Sequence, residues 1–187
     1  PLPTVTAPTK ICVTATANLS PTTGGTWTSS NTVIATVTNG GVITAKAPGT
    51  VTFTYTNSST GCSKTTSVVT VYALPVVTAP ADLCINATKV LSPTSGGVWT
   101  SSNPSVATVN NAGVITGVSV GNASFTFIDT VSGCSSTTSS VTIKALPVIV
   151  SATATPATVC SGDQSSLDVI AQGAASTSTT LVNYNFN

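Results

Sequence analysis

Histidine, arginine, glutamate and methionine are absent from this chain of 187 residues. Five Lys and four Asp make up its whole charge, a net +1 and 5% of the residues, against about a quarter in an ordinary soluble domain. Each shortage excludes something. Without histidine there is no imidazole base, imidazole metal ligand or His pH switch. Without arginine, five lysines form no basic patch, so no nucleic-acid partner is expected. Four scattered Asp do not build a calcium cage of about 6–8 oxygens. No metal or cofactor is expected. Long apolar runs are missing as well: the stretch Val71–Val77 is among the longest and contains Pro75, whereas a membrane-spanning helix needs about 20 residues. No membrane insertion is expected. No basic, apolar leader opens the chain; it begins Pro1-Leu2-Pro3, which reads as the middle of something longer.

What is abundant is hydroxyl and β-branched. The chain holds 25 Ser, 38 Thr and 25 Val. Such a mixture is poor in helix formers and predicts an all-β protein. It also repeats itself. Leu2-Pro3 returns as Leu74-Pro75 and Leu146-Pro147, Cys12 as Cys84, Trp27 as Trp99 and Cys62 as Cys134. Except for the third Leu-Pro, which lies two repeats on, every offset is 72, and 39 of 71 positions are identical between 2–72 and 74–144 without a gap. That period exceeds the 20–45 residues of a solenoid repeat and suits a small β domain. The expected division is a first repeat at 1–73, a second at 74–145 and an incomplete third domain at 146–187. In the third, 14 residues separate Leu146 from Cys160, where the first two have 10 from Leu to Cys.

Ile11, Val13, Ala15, Ala17 and Leu19 alternate with polar residues, as do Val51, Phe53 and Tyr55, and Phe125 and Phe127 in the second repeat. This period of two predicts half-buried antiparallel strands. Gly24-Gly25, Asn39-Gly40-Gly41 and their counterparts mark the turns. Seven or so short strands per repeat predict a sandwich. Trp27 and Trp99 are expected as core aromatics; a sugar-stacking platform is the alternative.

Trp27-Thr-Ser-Ser-Asn31, Val33–Val37, Gly41-Val-Ile-Thr44 and Pro48–Phe53 resemble the bacterial Ig-like domain group 2, as do Trp99–Val109 and Gly113–Thr116. The resemblance covers most of both complete repeats. It implies tandem immunoglobulin-like β-sandwiches, arranged as a rod, in a surface protein. The added cysteine pair, the Leu-Pro junctions and the Ser/Thr wealth resemble repeats of giant secreted adhesins of Bacteroidetes, of the gliding-motility SprB type. The third segment, Ala154–Gly162, resembles a different Ig-like or PKD-like module of the same proteins. An extracellular, cell-surface location follows from that resemblance.

Four of the five cysteines stand at matched positions, with no C-x-x-C and no His, which argues against zinc. One disulfide inside each repeat is expected, Cys12 with Cys62 and Cys84 with Cys134, leaving Cys160 unpaired in this chain; buried free thiols are the alternative. Closing about 50 residues would contribute roughly 4 kcal/mol, and disulfides imply an oxidising compartment. Strict alternation from Ile11, however, turns Cys12 away from the core, so the bridge lies at the sandwich rim or a bulge shifts the register.

No catalytic residue is expected. Ser and Thr lack an activating base. Lys10 aligns with Asp82, Lys46 with Val118 and Lys64 with Ser135–Ser136, so the lysines read as solvated surface. Among Asp82, Asp129, Asp163 and Asp168 only the last two are locally close, and they read as turn acceptors rather than a dyad. Thr50, Thr52, Thr54 and Thr56 read as the wet side of a strand, with an ice- or mineral-binding face as the alternative. Asp129-Thr130-Val131 resembles the short O-glycosylation signal of Bacteroidetes, with Thr130 as acceptor.

Apolar, proline-containing junctions such as Val71–Val77 restrict bending. The expected function is a stalk segment of a surface adhesin, supporting adhesion or gliding, with neighbouring Ig-like repeats as partners. The alternatives are repeats that bind glycans or other surface proteins directly, repeats that assemble by strand donation, and accessory modules of a secreted enzyme.

Overall fold

The computed structural model describes residues 2–158, 160, 165–173 and 176–184. All regular structure there is β, and no helix forms among the described residues.

The first repeat contains β1 (Lys10–Cys12), β2 (Thr16–Asn18), β3 (Gly25–Ser29), β4 (Ala35–Val37), β5 (Val42–Ala45), β6 (Gly49–Val51), β7 (Phe53–Asn57), β8 (Ser63–Thr65) and β9 (Val69–Tyr72). They form three three-stranded sheets, in the orders β1-β9-β6, β2-β5-β4 and β3-β7-β8. The second repeat follows the same plan with β10 (Asp82–Cys84), β11 (Thr88–Val90), β12 (Gly97–Ser101), β13 (Ala107–Val109), β14 (Val114–Gly117), β15 (Gly121–Ala123), β16 (Phe125–Asp129), β17 (Ser135–Thr137) and β18 (Val141–Lys144). Here the sheet orders are β10-β18-β15, β11-β14-β13 and β12-β16-β17. All pairs are antiparallel except β1 with β9 and β10 with β18, which run parallel.

Each repeat wraps its sheets around a separate apolar cluster. The first is built on Leu19, Trp27, Ile43, Phe53, Tyr55, Val69 and Val71, the second on Leu91, Trp99, Ile115, Phe125, Phe127, Val141 and Ile143. In β5, β7, β9, β14, β16 and β18 the inward residues recur at every second position, so one face is packed and the other more open to water. Burying several such side chains, each contributing about 1.5–3 kcal/mol, drives each cluster. This is an all-β, Ig-like fold.

One detail departs from the sequence reading. Residues 11–19 do not form a single strand. β1 ends at Cys12, and a tight turn (Ala15 N–H to the Cys12 carbonyl, 3.1 Å) passes the chain to another sheet as β2. The turn requires a left-handed residue, and Thr14 has φ 70°, with Asn86 at φ 64° in the second repeat. The apolar alternation survives because the turn preserves the side that faces the core.

The third segment forms β19 (Val148–Thr155), β20 (Ser165–Gly173) and β21 (Ser176–Tyr184), an antiparallel sheet in the order β19-β20-β21. β19 carries a bulge between Ile149 and Ser151.

Candidate functional site: the stapled junction

The parallel pairing of β1 with β9 sets Cys12 opposite Tyr72, the last residue of β9. Cys12 therefore stands at the end where the first repeat hands over to the second. β6 and β7 run the other way. Gly49 faces Val71 and Asn57 faces Gly25; residue 52 stays extended, its carbonyl accepting from Ser30 N–H at 3.0 Å. Eight residue steps from 49 to 57, at about 3.3 Å each, carry the chain roughly 26 Å. The turn ending at Cys62 thus lies at the opposite end of the repeat.

A disulfide needs Cα atoms within about 7 Å, which excludes Cys12 with Cys62. Instead Cys12 is bonded to Cys134 of the second repeat, Cα–Cα 5.7 Å, across a sequence separation of 122. The expected pairings Cys12–Cys62 and Cys84–Cys134 are both corrected: Cys62, Cys84 and Cys160 are free. The outward direction of Cys12, awkward for a bridge within a repeat, suits a bridge between repeats.

The loop that carries Cys134 is tightly organised. Asp129 Oδ1 accepts from the backbone N–H of Val131 (3.1 Å), the N–H of Ser132 (2.7 Å) and the Ser132 hydroxyl (2.7 Å). The Ser132 hydroxyl oxygen in turn accepts from Cys134 N–H at 3.1 Å. Asn57 does the same work in the first repeat, accepting from Ser59 N–H, Thr60 N–H and the Thr60 hydroxyl. The Ser132 hydrogen bonds, backbone first, hold the Asp129 carboxyl below the ordinary carboxylate value, and the charge of Lys10 adds to the effect. Lys10 Nζ reaches across the junction and donates to the Val131 carbonyl at 3.0 Å. Beside this contact is an open cleft of about 300 Å³ between Tyr72, Ala73 and Pro75 of the connecting segment and Asp129, Val131 and Ser132.

The other sequence-selected residues fall elsewhere. Trp27 and Trp99 are each 3% exposed. Their indole N–H groups donate to the carbonyls of Pro21 and Pro93, 2.8 Å each, and their rings tilt against Tyr55 and Phe127 at 5.2 and 5.1 Å. Neither offers a ring face to a ligand. Thr130 is exposed, and its hydroxyl donates to the Gly96 carbonyl at 3.0 Å. Cys160 is exposed. Of the row Thr50, Thr52, Thr54, Thr56, the first lies in β6, the last two in β7 and Thr52 between them, and the hydroxyls of Thr54 and Thr56 pair with Thr65 and Ser63, 2.9 Å each. Asp82 pairs with Lys144, whose hydrogen bond and charge lower the Asp82 carboxyl and raise the ammonium. Asp163 lies outside the described residues. Among the described residues no group of three or more His, Cys, Asp or Glu could hold a metal ion, and no helix is long and apolar enough to cross a membrane.

Residues 86–143 match the bacterial Ig-like domain, group 2. The matched stretch is most of the second repeat. No curated protein matches the chain. Among solved structures, a fragment of surface layer protein SbsC (domains 4–9) aligns at 20% identity and TM-score 0.31, covering 87% of this chain and 29% of that one. Invasin, a bacterial integrin-binding protein, aligns at 14% identity and TM-score 0.48, over 80% of this chain and 40% of that one. The intimin fragment solved with the intimin-binding domain of its translocated receptor aligns at 15% identity and TM-score 0.44, over 67% and 54%. The chain spans 24% of the six-domain SbsC fragment (domains 1–6) that it also resembles.

Proposed function

We propose that this chain is a spacer segment of a bacterial cell-surface protein, in which Ig-like repeats are divided near 73/74 and 145/146 and held end to end. The observation that carries the reading is the Cys12–Cys134 bridge between repeats. A bridge inside a repeat would strengthen one bead; a bridge between repeats restricts how two beads move. The Lys10–Val131 hydrogen bond and the apolar connection through Leu74 and Pro75 act in the same direction. The hollow lined by Trp27, Thr28, Ser29, Thr32, Thr36 and Val37 sets hydroxyls together with no base to activate them. A disulfide of this kind suits an oxidising, extracellular setting. A giant Bacteroidetes surface adhesin that supports adhesion or gliding is the specific protein type we propose, with Thr130 as an O-glycan acceptor.

Small-angle scattering tests the spacer. The oxidised chain is expected to fit one extended arrangement of its two complete repeats, and the reduced chain a broader set. A compact particle, or an oxidised chain as broad as the reduced one, overturns the reading. A glycan array separates a spacer from a lectin: specific hits would transfer the function to the repeats themselves.

A further inference from the structure

The 72-residue repeat has a consequence for the two cysteines that are left over. Cys84 stands where Cys12 stands. It faces Lys144 across the parallel β10–β18 pair as Cys12 faces Tyr72. The following N–H donates to that partner's carbonyl in both, Val13 to Tyr72 at 2.9 Å and Ile85 to Lys144 at 3.0 Å. The same turn follows, closed by Ala15 N–H on the Cys12 carbonyl and Ala87 N–H on the Cys84 carbonyl, 3.1 Å each. Cys62 stands where Cys134 stands. Its carbonyl accepts from Asn57 N–H at 3.0 Å and its N–H donates to the Thr60 hydroxyl oxygen at 3.3 Å, as Cys134 does with Asp129 and Ser132.

What differs is cover. Cys134 is 1% exposed, and Ser132 8%; Cys62 is only half-buried and Thr60 is exposed. The loop that meets the other repeat is buried, and its counterpart in the first repeat is more open. At the other end, an open hollow of about 360 Å³ surrounds Cys84, lined by Asp82, Leu83, Ala87, Thr88, Lys89 and Lys144. The Cys12–Cys134 junction thus has two more open counterparts in the same backbone frame.

We propose that Cys84 and Cys62 are the open halves of further junction staples. Cys84 takes the second cysteine of an Ig-like repeat abutting the far end of the second repeat, and Cys62 the first cysteine of one abutting the near end of the first. Each repeat is then bonded to both neighbours and to itself not at all. The inference rests on the spacer reading and extends it to neighbouring repeats as covalent partners. Each bond forms when two thiols lose two protons and two electrons to a disulfide oxidant. One thiolate attacks the oxidant and releases its first thiol; the second attacks the resulting mixed disulfide and releases the other. The exchange of Lys10 for Asp82 and of Tyr72 for Lys144 gives the second junction its own charge pattern. A loop carrying Asn57 suits it better than one carrying Asp129, which would add a second carboxylate beside Asp82.

The test inserts a copy of residues 2–73 after Ala145, where the register is preserved, with Ser63→Thr in the copy as a mass tag beside its second cysteine. The chain is oxidised in a glutathione redox buffer, alkylated and digested without reduction. The expected product joins the Cys84 peptide to the tagged peptide, alongside the native Cys12–Cys134 product. If the native product forms and Cys84 is alkylated, the inference fails and the spacer stands. If Cys84 is bonded to Cys134, or Cys12–Cys134 is otherwise absent, both fail. In the unextended chain, Cys62 and Cys84 are expected to alkylate in the folded state. Disulfide-linked dimers through Cys62 and Cys84 there would assign the partner to a second chain and overturn the proposal.

Discussion

At the scale of single residues, the two repeats act as controls for one another. Thr14 occupies a left-handed position that its β-branched side chain disfavours, while the second repeat has Asn86 there. Thr14→Asn is expected to stabilise the first repeat by about 1 kcal/mol, measured as the denaturant midpoint; a lowered midpoint would contradict the strain. Buried Thr66 is more costly to lose. Its hydroxyl oxygen accepts from the N–H of Phe53 at 3.1 Å and its hydroxyl donates to the Ser67 carbonyl at 2.8 Å. Thr66→Val keeps the shape and strands the Phe53 N–H among fully buried neighbours, an expected loss of about 1–3 kcal/mol; an unchanged midpoint would refute that role. Gly97 explains the Gly-Gly before each Trp. A Cβ there would lie 2.3 Å from both the Ile128 carbonyl oxygen and the Phe127 ring. The inward positions of Trp27, Phe53 and Tyr55 were legible, because apolar residues alternating in a polar background have one side to turn. Thr66 was not, since nothing in composition separates a buried hydroxyl from the 37 other Thr of the chain.

At the scale of elements, the 129–134 loop decides how firmly the second repeat seats on the first. Its organiser is a carboxylate whose folded pKa lies below the unfolded value of about 3.9. Its contribution is therefore fully present above that value and is lost as pH falls through the lowered folded one. Amide exchange of Ser132 and Cys134 is expected to accelerate as the solution is acidified through that window, after correction for intrinsic rates. Asp129→Asn should remove this acid sensitivity while keeping the loop, as Asn57 does without charge. Acid-induced loosening that persists in the variant would assign the effect elsewhere, with Asp82–Lys144 the next pair to examine. The strands of this sandwich were readable from period and turn residues. The break at Thr14 was hidden, because it leaves the alternation intact while moving the chain between sheets. The outward parity of Cys12 was visible, and it was the signal that a bridge within the repeat was wrong; strand order, which shows that Cys12 and Cys62 stand at opposite ends, was not.

At the scale of the whole molecule, two separate cores and a disulfide that joins their repeats define the mechanics. Each core needs no bridge of its own, so Cys12→Ser is expected to leave the β content unchanged while widening the range of angles at the junction. The decisive measurement is non-reducing peptide mapping of the oxidised, unextended chain by mass spectrometry. A peptide joining Cys12 to Cys134 is expected, with Cys62 and Cys84 alkylated. Peptides joining Cys12 to Cys62 and Cys84 to Cys134 would return the bridges to the interior of each repeat and leave the junction without its staple.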